Sequence, residues 1–528
     1  MNNYGIEIHN LSMKVGDITL FEDANFYIKP KSKVGLIGRN GAGKTTLFEY
    51  IYSAYKHKES ISKTKENINF LPDTKINYLP QEFKLLKKVT VKKYIENTSL
   101  FNIYSKYQKT KDASLLDKMN LYNLWDIEET ISHLLEQLKF KKENLNKNIY
   151  EISAGEITKI KILSVILSGA NILLLDEPTN NLDSYTLSFL KNWIKDFPYS
   201  VFMISHNRDF LDNTVDEILE INQNTKTINS YIGNYSFFYN KRQEEIKKQK
   251  EEYARESKKR KKLKKAEIFL KKRAKEIQSF SNNAHFQTIG ARVAMKSVVL
   301  KERIENRLNR ISFPTLEKKI NIKYINNVSN TKNTLIFNVE NLSYKPILKN
   351  ISFSVFSKER IAIIGNNGVG KTTLLKLLIG EIKQGYSGNI VRRNIKIGYV
   401  PQTTKIQNSQ ISIIEYMQNS IPSLSYKHIS TSLGSILFRN PENIKVKYLS
   451  TGEIKKLQLL LIIESNPEFL ILDEPTNHMD ISSIEILENI LNKFEYGFIV
   501  VSHDKNFLDN IKISKIIELK NTKWTDIK

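Results

Sequence analysis

The chain contains two short glycine-rich stretches of the same pattern, one near its start and one beyond its middle. Residues 38–46 read GRNGAGKTT and residues 365–373 read GNNGVGKTT, and each follows a short apolar run and opens a helical pattern. Small residues at a helix N-terminus let backbone N–H groups converge on phosphate oxygens, and a lysine neutralises phosphate charge. The sequence therefore predicts two nucleotide-phosphate loops. The predicted binding residues are Gly38, Asn40, Gly41, Gly43, Lys44, Thr45 and Thr46, and Gly365, Asn367, Gly368, Gly370, Lys371, Thr372 and Thr373.

An acidic motif also occurs twice, each time at the end of an apolar run. Residues 173–180 read LLLDEPTN and residues 470–477 read LILDEPTN. The aspartate, with a threonine hydroxyl from the glycine loop, can hold Mg²⁺, and the glutamate that follows can polarise a water for attack on the γ-phosphate of ATP. The predicted metal ligands are Thr45 with Asp176 and Thr372 with Asp473, and the predicted water-activating residues are Glu177 and Glu474.

These motifs belong to two copies of one domain, since the intervals between their landmarks are equal. Asp176 lies 30 positions before His206, and Asp473 lies 30 positions before His503. Around each glycine loop the local signals run strand, loop, helix, which predicts an α/β fold for both copies. The predicted division is a first domain at 1–236, a linker at 237–320 and a second domain at 321–528.

The two copies differ in length between two landmarks. Gln81 and Ser153 are 72 positions apart, whereas Gln402 and Ser450 are 48 apart. The first domain therefore has 24 additional residues (72 minus 48), rich in lysine, tyrosine and leucine. We interpret them as an enlarged helical subdomain.

The overall composition limits the class of protein. With 81 Lys+Arg against 56 Asp+Glu, the net charge of +25 favours a polyanionic partner, nucleic acid or an anionic membrane face, over a solvated lysine-rich surface. The absence of cysteine excludes disulfides and a cysteine nucleophile and fits a reducing cytoplasm. No signal peptide is visible and no run of 18 apolar residues occurs, so we expect a soluble cytoplasmic protein.

Much of the positive charge lies between the two domains. Residues 241–276 contain 17 Lys+Arg and 7 Asp+Glu, and residues 291–310 contain 6 and 2, which together give +14. From Lys241 to Ile289 there is neither glycine nor proline, and a second helical pattern follows Gly290. This pattern predicts two long helices folded back on each other as a hairpin. A basic hairpin would contact phosphate without reading sequence.

The segment between the predicted helices is uncharged and rich in aromatic and amide side chains. Such side chains suit stacking on, and hydrogen bonding to, exposed bases, although two phenylalanines could equally close the hairpin by packing together. At about 1.5 Å per residue, a 36-residue helix would carry this tip roughly 54 Å from the domains. The predicted tip, near 278–290, includes Phe280, Asn282, Asn283, His285, Phe286 and Gln287.

With these motifs the two domains resemble ATP-binding cassettes, and they are called cassettes from here on. The resemblance implies that two glutamines contact the metal and the attacking water, and that two histidines act as switches near the γ-phosphate. The glutamines are Gln81 and Gln402, the histidines are His206 and His503, and the D-loop aspartates are Asp183 and Asp480. The residues that match the signature motif are Ser153, Gly155 and Glu156, and Ser450, Gly452 and Glu453, with Ala154 and Thr451 in place of the family's first glycine.

In this family two cassettes close head to tail around two nucleotides. The resemblance implies a site 1, in which the loop of the first cassette faces the signature of the second, and a site 2 of the reverse composition. Site 1 would join Lys44, Glu177 and His206 with Ser450 and Gly452, and site 2 would join Lys371, Glu474 and His503 with Ser153 and Gly155. For the aromatic that stacks on adenine, Val15 occupies the expected place in the first cassette, and Tyr344 is a candidate in the second.

Tandem cassettes, a basic two-helix linker and the stretch GNYS at 233–236 together resemble the ABC-F family. The resemblance implies a monomeric ATPase, without a membrane subunit, that binds ribosomes at the exit site and extends its linker towards the peptidyl-transferase centre, contacting large-subunit rRNA and P-site tRNA. The long linker and residues 286–296 are similar to the antibiotic-resistance branch, whose members displace lincosamides, pleuromutilins and streptogramin A. The alternatives are a housekeeping factor that relieves stalled ribosomes and the ATPase subunit of a transporter.

Overall fold

The protein consists of two compact units, Met1–Tyr235 with Ile320–Lys528, and Ser236–Lys319. The computed structural model describes residues 3–16, 18–60, 67–81, 89–180, 182–279, 284–310, 333–402, 410–436, 438, 441–520 and 523–526. The first unit contains both cassettes, and the second contains the linker helices.

The first cassette is built on two sheets. Its strands are β1 Ile6–Val15, β2 Ile18–Ile28, β3 Lys33–Gly38, β4 Ile68–Phe70, β5 Ile76–Leu79, β6 Ile172–Asp176, β7 Ser200–Ile204, β8 Glu217–Asn222 and β9 Thr227–Ile232. The central sheet has the order β5-β6-β7-β3-β8-β9 and is parallel except for β9, and the second sheet, β2-β1-β4, is antiparallel. β6 reads ILLLD with all five residues buried, as a parallel strand covered on both faces requires.

The second cassette repeats this arrangement. Its strands are β10 Leu335–Tyr344, β11 Leu348–Phe356, β12 Arg360–Gly365, β13 Ser387–Arg392, β14 Ile397–Val400, β15 Phe469–Asp473, β16 Phe498–Val501, β17 Lys515–Lys520 and β18 Lys523–Asp526. The orders are β14-β15-β16-β12-β17-β18 and β11-β10-β13, which match the first cassette strand for strand. The prediction of two α/β cassettes joined by a helical insertion is confirmed.

The sheet order brings the predicted motifs of each cassette to one edge. The glycine loop follows β3, the acidic motif ends β6 and the switch histidine follows β7, and these three strands are parallel neighbours. Carboxyl ends of parallel strands meet at the same edge, where ligands bind in α/β folds. The same relation holds for β12, β15 and β16.

The cassettes differ most in their helical layers. Between β5 and the signature helix, the described residues of the first cassette form four α-helices, and those of the second form two at the corresponding place, as the 24 additional residues predict. The helices of the first cassette are α1 Lys44–Ser60, α2 Val91–Glu96, α3 Ser99–Thr110, α4 Ala113–Leu121, α5 Ile127–Gln137, α6 Ala154–Ile166, α7 Ser184–Asp196 and α8 Arg208–Thr214.

The linker unit contains two long helices, α9 Tyr235–Ser279 and α10 Ala284–Arg310. Glu267 of α9 lies within electrostatic range of Lys301 of α10, and Ala274 and Ser297 are buried, so the two helices lie close together in this unit. That they fold back on each other as a hairpin stays a prediction. Among the described residues, no helix is both long enough and apolar enough to cross a membrane.

Two details of the linker prediction are wrong. α10 begins six residues before Gly290, because an isolated glycine in a helix costs only about 1 kcal/mol relative to alanine and its neighbours maintain the helix. α9 has 45 residues and not the 36 predicted, and so measures about 68 Å. Of the predicted tip, Gln287 is exposed in α10; Phe280, Asn282 and Asn283 and the side chains of His285 and Phe286 lie outside the described residues.

The helices of the second cassette complete the fold. They are α11 Lys371–Ile379, α12 Ile413–Ser420, α13 Tyr426–Ser435, α14 Thr451–Glu464, α15 Ile481–Lys493 and α16 Lys505–Asn510.

Candidate functional site

The two glycine loops hold their lysines inside the loop. Lys44 Nζ donates hydrogen bonds to the carbonyl oxygens of Gly38, at 2.8 Å, and Arg39, at 3.2 Å. Lys371 Nζ donates to the Gly365 carbonyl at 2.6 Å and lies 3.1 Å from Nε2 of His503. Burial lowers the pKa of both lysines, since an ammonium loses its hydration there. A triphosphate would give each ammonium a fully anionic partner, whereas the carbonyl oxygens of the loop carry only a partial negative charge.

Backbone geometry explains the glycines of these loops. Gly43 has φ +94° and Gly370 has φ +103°, in the left-handed region that disfavours side chains. A Cβ at Gly43 would meet Leu20, and one at Gly370 would meet Ile347 and Leu348. These contacts come from the antiparallel sheet of each cassette, so the loops lie close to that sheet. Gly41 and Gly368 also have positive φ angles, of +74° and +78°.

The residues predicted to hold Mg²⁺ fit that ion. Thr372 Oγ1 donates a hydrogen bond to Asp473 Oδ2 at 2.7 Å, and Asp473 Oδ1 is buried without a hydrogen-bond partner. Burial raises the pKa of Asp176 to about 6, opposed by the Thr45 hydroxyl and by Lys44. Within the described residues, no cluster of three or more acidic or histidine side chains could hold a metal. That is expected of a Mg²⁺ held by one carboxylate, one hydroxyl, waters and substrate phosphates.

The two predicted water-activating glutamates have strained backbones and histidine partners. Glu177 has φ +52° and Glu474 has φ +45°, although neither is glycine. Glu177 Oε1 lies 3.2 Å from Nε2 of His206, and Glu474 Oε1 lies 3.5 Å from Nε2 of His503. The structure therefore brings each predicted glutamate and switch histidine together.

Burial favours the neutral form of every member of these pairs. It raises the pKa of Glu177 to about 8 and that of Glu474 to about 7, and it lowers the pKa of His206 to about 3 and that of His503 to about 4. Each imidazole is therefore neutral at physiological pH, with one nitrogen that donates and one that accepts a hydrogen bond.

The signature serines cap their own helices. Ser153 is the N-cap of α6 and Ser450 is the N-cap of α14, and each forms a capping box with Glu156 or Glu453. The serine hydroxyls donate to these glutamates at 2.8 and 2.9 Å. The two glutamates thus orient a helix N-terminus, whose partial positive charge suits a phosphate.

At site 1 the two cassettes are in contact. The backbone N–H of Asn40, in the first glycine loop, donates to Asp480 Oδ2 at 2.7 Å, and its side-chain amide donates to the His478 carbonyl at 3.2 Å. The loop of the first cassette therefore faces the D-loop of the second, with Gly452 against Asn40. This is the arrangement that the resemblance implied.

Site 2 lies in a cavity between the cassettes of about 710 Å³, which extends as far as Glu177 and His206 of site 1. It is lined from the second cassette by Asn367, Gly368, Gly370, Lys371, Thr372, Thr373, Gln402, Asp473, Glu474 and His503, and from the first by Ser153, Gly155, Glu156 and Asp183. A nucleotide in it would contact the phosphate loop of one cassette and the signature motif of the other. Gln81, the counterpart of Gln402, is exposed beyond the end of β5.

Some lining residues were not predicted from the sequence. Lys139 and Lys141 line the cavity from the first cassette, and Ile347 lines it from the second. Both lysines precede the signature motif in the sequence, and their positive charge could have marked them as candidates for contact with a phosphate. Tyr344, the predicted adenine-stacking candidate, packs partly buried against the second core, and Val15 is exposed.

Substituting alanine for Gly452 is expected to weaken closure at site 1. A Cβ at this position would overlap the His478 carbonyl and the Asn40 amide, and overpacking of this kind costs about 1–3 kcal/mol. The KM for ATP should therefore rise, as measured by hydrolysis over an ATP titration. The matched control is Gly434→Ala, also in a helix of the second cassette, because no atom outside the neighbouring backbone of its own helix lies within 4 Å of its added Cβ. Equal KM values for the two variants would contradict the contact seen at site 1.

The whole chain is similar to known ATP-binding proteins. A family model described as ABC transporter matches residues 21–180 and 348–477. The chain is 30% identical over 519 residues to ATP-binding protein Uup of Buchnera aphidicola subsp. Schizaphis graminum, covering 96% of this chain and 79% of that protein. It is 28% identical over 525 residues to probable ATP-binding protein YheS of Escherichia coli K12, covering 95% and 77%.

Two solved structures share the fold of this chain along almost its whole length. RNase-L Inhibitor superposes with a TM-score of 0.59 at 15% identity, covering 97% of this chain and 87% of that one. The archaeal ribosome recycling factor aABCE1, solved with the ribosomal stalk protein aP1, gives 0.58 at 15%, covering 96% and 87%. Two matched cassettes and relatives along almost the whole length show that the chain belongs to the ABC transporter family, as a tandem-cassette ATPase similar to the ABC-F proteins Uup and YheS.

Proposed function

We propose that this protein is a ribosome-associated ABC-F ATPase whose basic linker contacts ribosomal RNA and tRNA. The observation that carries the proposal is the charge of the linker helices. Residues 241–276 and 291–310 hold +14 of the net +25, and most of the described side chains there are exposed. A surplus of this kind neutralises nucleic-acid phosphates without reading sequence. The fold shared with a factor solved beside a ribosomal stalk protein supports a ribosomal partner.

Each composite site would bind one ATP. Lys44 and Lys371 neutralise the β- and γ-phosphates, and the capped N-termini of α14 and α6 approach the γ-phosphate from the opposite cassette. Mg²⁺, held by Thr45 and Asp176 or by Thr372 and Asp473, would screen the phosphate charge when bound. Glu177 and Glu474 orient and polarise the attacking water, and His206 and His503 contact the γ-phosphate.

ATP binding would be coupled to the linker through cassette closure. A nucleotide would bridge the two cassettes, since residues of both line the site 2 cavity. The last strand of the first cassette, β9, ends at Ile232, and α9 begins at Tyr235, so only residues 233–234 separate them. Closed cassettes would hold the linker in the ribosomal exit site, and hydrolysis would allow the protein to leave.

The finer proposal is protection of the ribosome from drugs of the peptidyl-transferase centre, in the cytoplasm of a bacterium. The drug classes are those of the resistance branch: lincosamides, pleuromutilins and streptogramin A. The long α9, of 45 residues, supports a linker that reaches deep into the ribosome. The uncharged segment 280–287 would act at or near the drug site.

A second candidate function is the relief of stalled ribosomes by a housekeeping factor. The connection between α9 and α10, where the two candidates are expected to differ, lies at residues 280–283, outside the described residues. The similarity to Uup and YheS along the chain fits either candidate.

Shortening 280–287 is expected to abolish drug tolerance without reducing ATP hydrolysis. The segment is proposed to act near the drug, whereas both ATP sites lie in the cassettes. The measurement is susceptibility of a sensitive bacterium to a lincosamide, a pleuromutilin and streptogramin A, with purified-protein ATPase activity in parallel. A control variant keeps the full length of the segment but replaces its side chains by alanine. It separates the effect of linker length from the effect of the side chains.

Three outcomes distinguish the candidates. Tolerance with the unaltered chain that is lost on shortening supports protection. Tolerance that survives shortening contradicts a role for the tip. No tolerance with the unaltered chain, together with slower growth when its gene is deleted under translational stalling, supports the housekeeping function.

A further inference from the structure

The backbone carbonyl of Glu474 has a buried lysine as a hydrogen-bond donor. Lys455, in the signature helix α14 of the same cassette, is 2% exposed, and its Nζ lies 2.6 Å from the Glu474 carbonyl oxygen. Its ammonium also lies within electrostatic range of the Asp473 and Glu474 carboxylates. Burying an ammonium is costly unless it is paired, so this contact constrains where the lysine can lie.

The carbonyl that Lys455 contacts belongs to a residue with an unfavourable backbone conformation. Glu474 has φ +45°, a conformation that a residue with a side chain rarely adopts, and its N–H donates to the Val501 carbonyl at 2.9 Å. Residues held in such regions persist when their surroundings fix both sides of the peptide. The Val501 carbonyl accepts a hydrogen bond from the N–H of Glu474, and the Lys455 ammonium donates one to its carbonyl. The second bond is charge-assisted and therefore stronger than a bond between neutral groups.

The first cassette does not repeat this contact. Lys455 lies five positions after Ser450, and the residue five positions after Ser153 is Thr158. The Thr158 hydroxyl donates to the Ala154 carbonyl, within its own helix, at 3.0 Å. Glu177 has a similar left-handed backbone, of φ +52°, and among the described residues its carbonyl accepts only from the Asn180 N–H, at 3.3 Å.

We propose that Lys455 is a positioning residue that holds Glu474 for hydrolysis at site 2, and that the two ATP sites are thereby inequivalent. The inference rests on the proposed role of Glu474. A carboxylate on a fixed backbone spends more time aligned with the attacking water, and misplacement by about 1 Å can cost a hundredfold in rate. Site 2 is therefore the faster site. The Glu177 backbone has the matching N–H bond, to the Ile204 carbonyl at 2.9 Å, but among the described residues no lysine donates to its carbonyl.

The test uses proteins with one functional site. Glu177→Gln leaves hydrolysis to Glu474, and Glu474→Gln leaves it to Glu177. In the Glu177→Gln protein, Lys455→Met keeps the aliphatic packing but removes the donor, and should lower kcat about tenfold with little change in KM, as loss of a charge-assisted hydrogen bond predicts. Lys455→Arg, which retains a cationic donor, should restore part of kcat. The matched control is Thr158→Met in the Glu474→Gln protein, which should hydrolyse ATP at the unaltered rate.

The outcomes separate this inference from the function on which it rests. If Glu474→Gln alone leaves ATP hydrolysis unchanged, the role of Glu474 is wrong. If Glu474→Gln reduces hydrolysis but Lys455→Met does not change kcat in the Glu177→Gln protein, the positioning role is wrong. A higher KM at constant kcat, or an equal fall of kcat in both single-site proteins, also overturns it. Lys455→Gln, compared by thermal unfolding, replaces Lys455→Met if that variant does not fold.

Discussion

Replacing both Glu177 and Glu474 by glutamine is expected to lower ATP hydrolysis at least about a hundredfold, in line with loss of general-base assistance, while ATP binding is retained. The amide matches the carboxylate in size but cannot accept the proton of the attacking water. The variant should therefore bind ATP, close, and accumulate on ribosomes.

The structure supports retention of the fold in this variant. Each glutamate side chain is buried beside a histidine that is neutral at physiological pH, and an amide can hydrogen bond to a neutral imidazole. Replacing each carboxyl with an amide of the same size thus costs little stability, and the loss of activity would not come from unfolding.

Two measurements check this prediction. Phosphate release reports hydrolysis, and sedimentation of cell extracts with ATP reports the ribosome-bound fraction. The matched control, Glu22→Gln with Glu340→Gln, removes two charges from exposed positions on the antiparallel sheets. A double variant at 177 and 474 that still hydrolyses ATP would contradict the proposed chemistry. One that is inactive but never sediments with ribosomes would leave the chemistry intact and contradict the ribosomal partner.

Features set by contiguous residues could be predicted from the sequence. The glycine loops, the acidic motifs and the strands that precede them depend on runs of fewer than ten residues, and two copies at equal spacing reinforced each other. The α/β class of both cassettes then follows from the repeated strand, loop, helix pattern, whereas the order of the strands in each sheet was not predicted. The head-to-tail pairing of sites came from the family resemblance, and the contact of Asn40 with Asp480, 440 positions apart, agrees with it.

Features set by distant contacts could not be predicted. In the sequence, nothing distinguishes Lys455 from a surface lysine, and only the folded structure places its ammonium against the Glu474 carbonyl. Glu156 and Glu453 matched a signature motif, and their capping role depends on where the helices begin. Gly290 reads as a break, and helical neighbours on both sides override its low propensity.

Breaking the ion pair between Arg208 and Glu488 is expected to reduce ATP hydrolysis about a hundredfold, because the pair joins the cassettes and removing one partner of a buried pair costs about 3–5 kcal/mol. Arg208 Nη1 lies 3.0 Å from Glu488 Oε1, and Nη2 donates to the Ile481 carbonyl at 3.5 Å. The side chains are only 8% and 10% exposed. The cost falls on the closed state alone, since opening returns the remaining charge to water.

Among the described residues, the pseudo-symmetric side of the interface has no such pair at the corresponding positions. The counterpart of Arg208 in the second cassette is Lys505, because each lies two positions after the switch histidine. The counterpart of Glu488 in the first cassette is Lys191, because each lies eight positions after the D-loop aspartate. Two lysines cannot form an ion pair, and Lys191 bonds instead to Asp209 of its own cassette at 2.7 Å. The ion pair therefore holds one side of the interface more firmly than the other.

A double-mutant cycle tests this pair. Arg208→Met should impair hydrolysis strongly, whereas Arg208→Met with Glu488→Met should recover much of it, because apolar side chains often replace a buried ion pair at little cost. Lys191→Met is the control, since its partly exposed pair with Asp209 should contribute no more than about 1 kcal/mol.

The cycle also locates the partner through which Arg208 acts. Tyr235, the first residue of α9, lies within electrostatic range of Arg208, as do Glu485 and Asp504. If the double variant remains as impaired as Arg208→Met, Glu488 is not the partner that matters. Arg208 would then act through Tyr235, and Tyr235→Phe should reproduce the defect. If instead the double variant recovers, cassette closure depends on the ion pair itself, and hydrolysis and ATP-dependent ribosome binding should recover together.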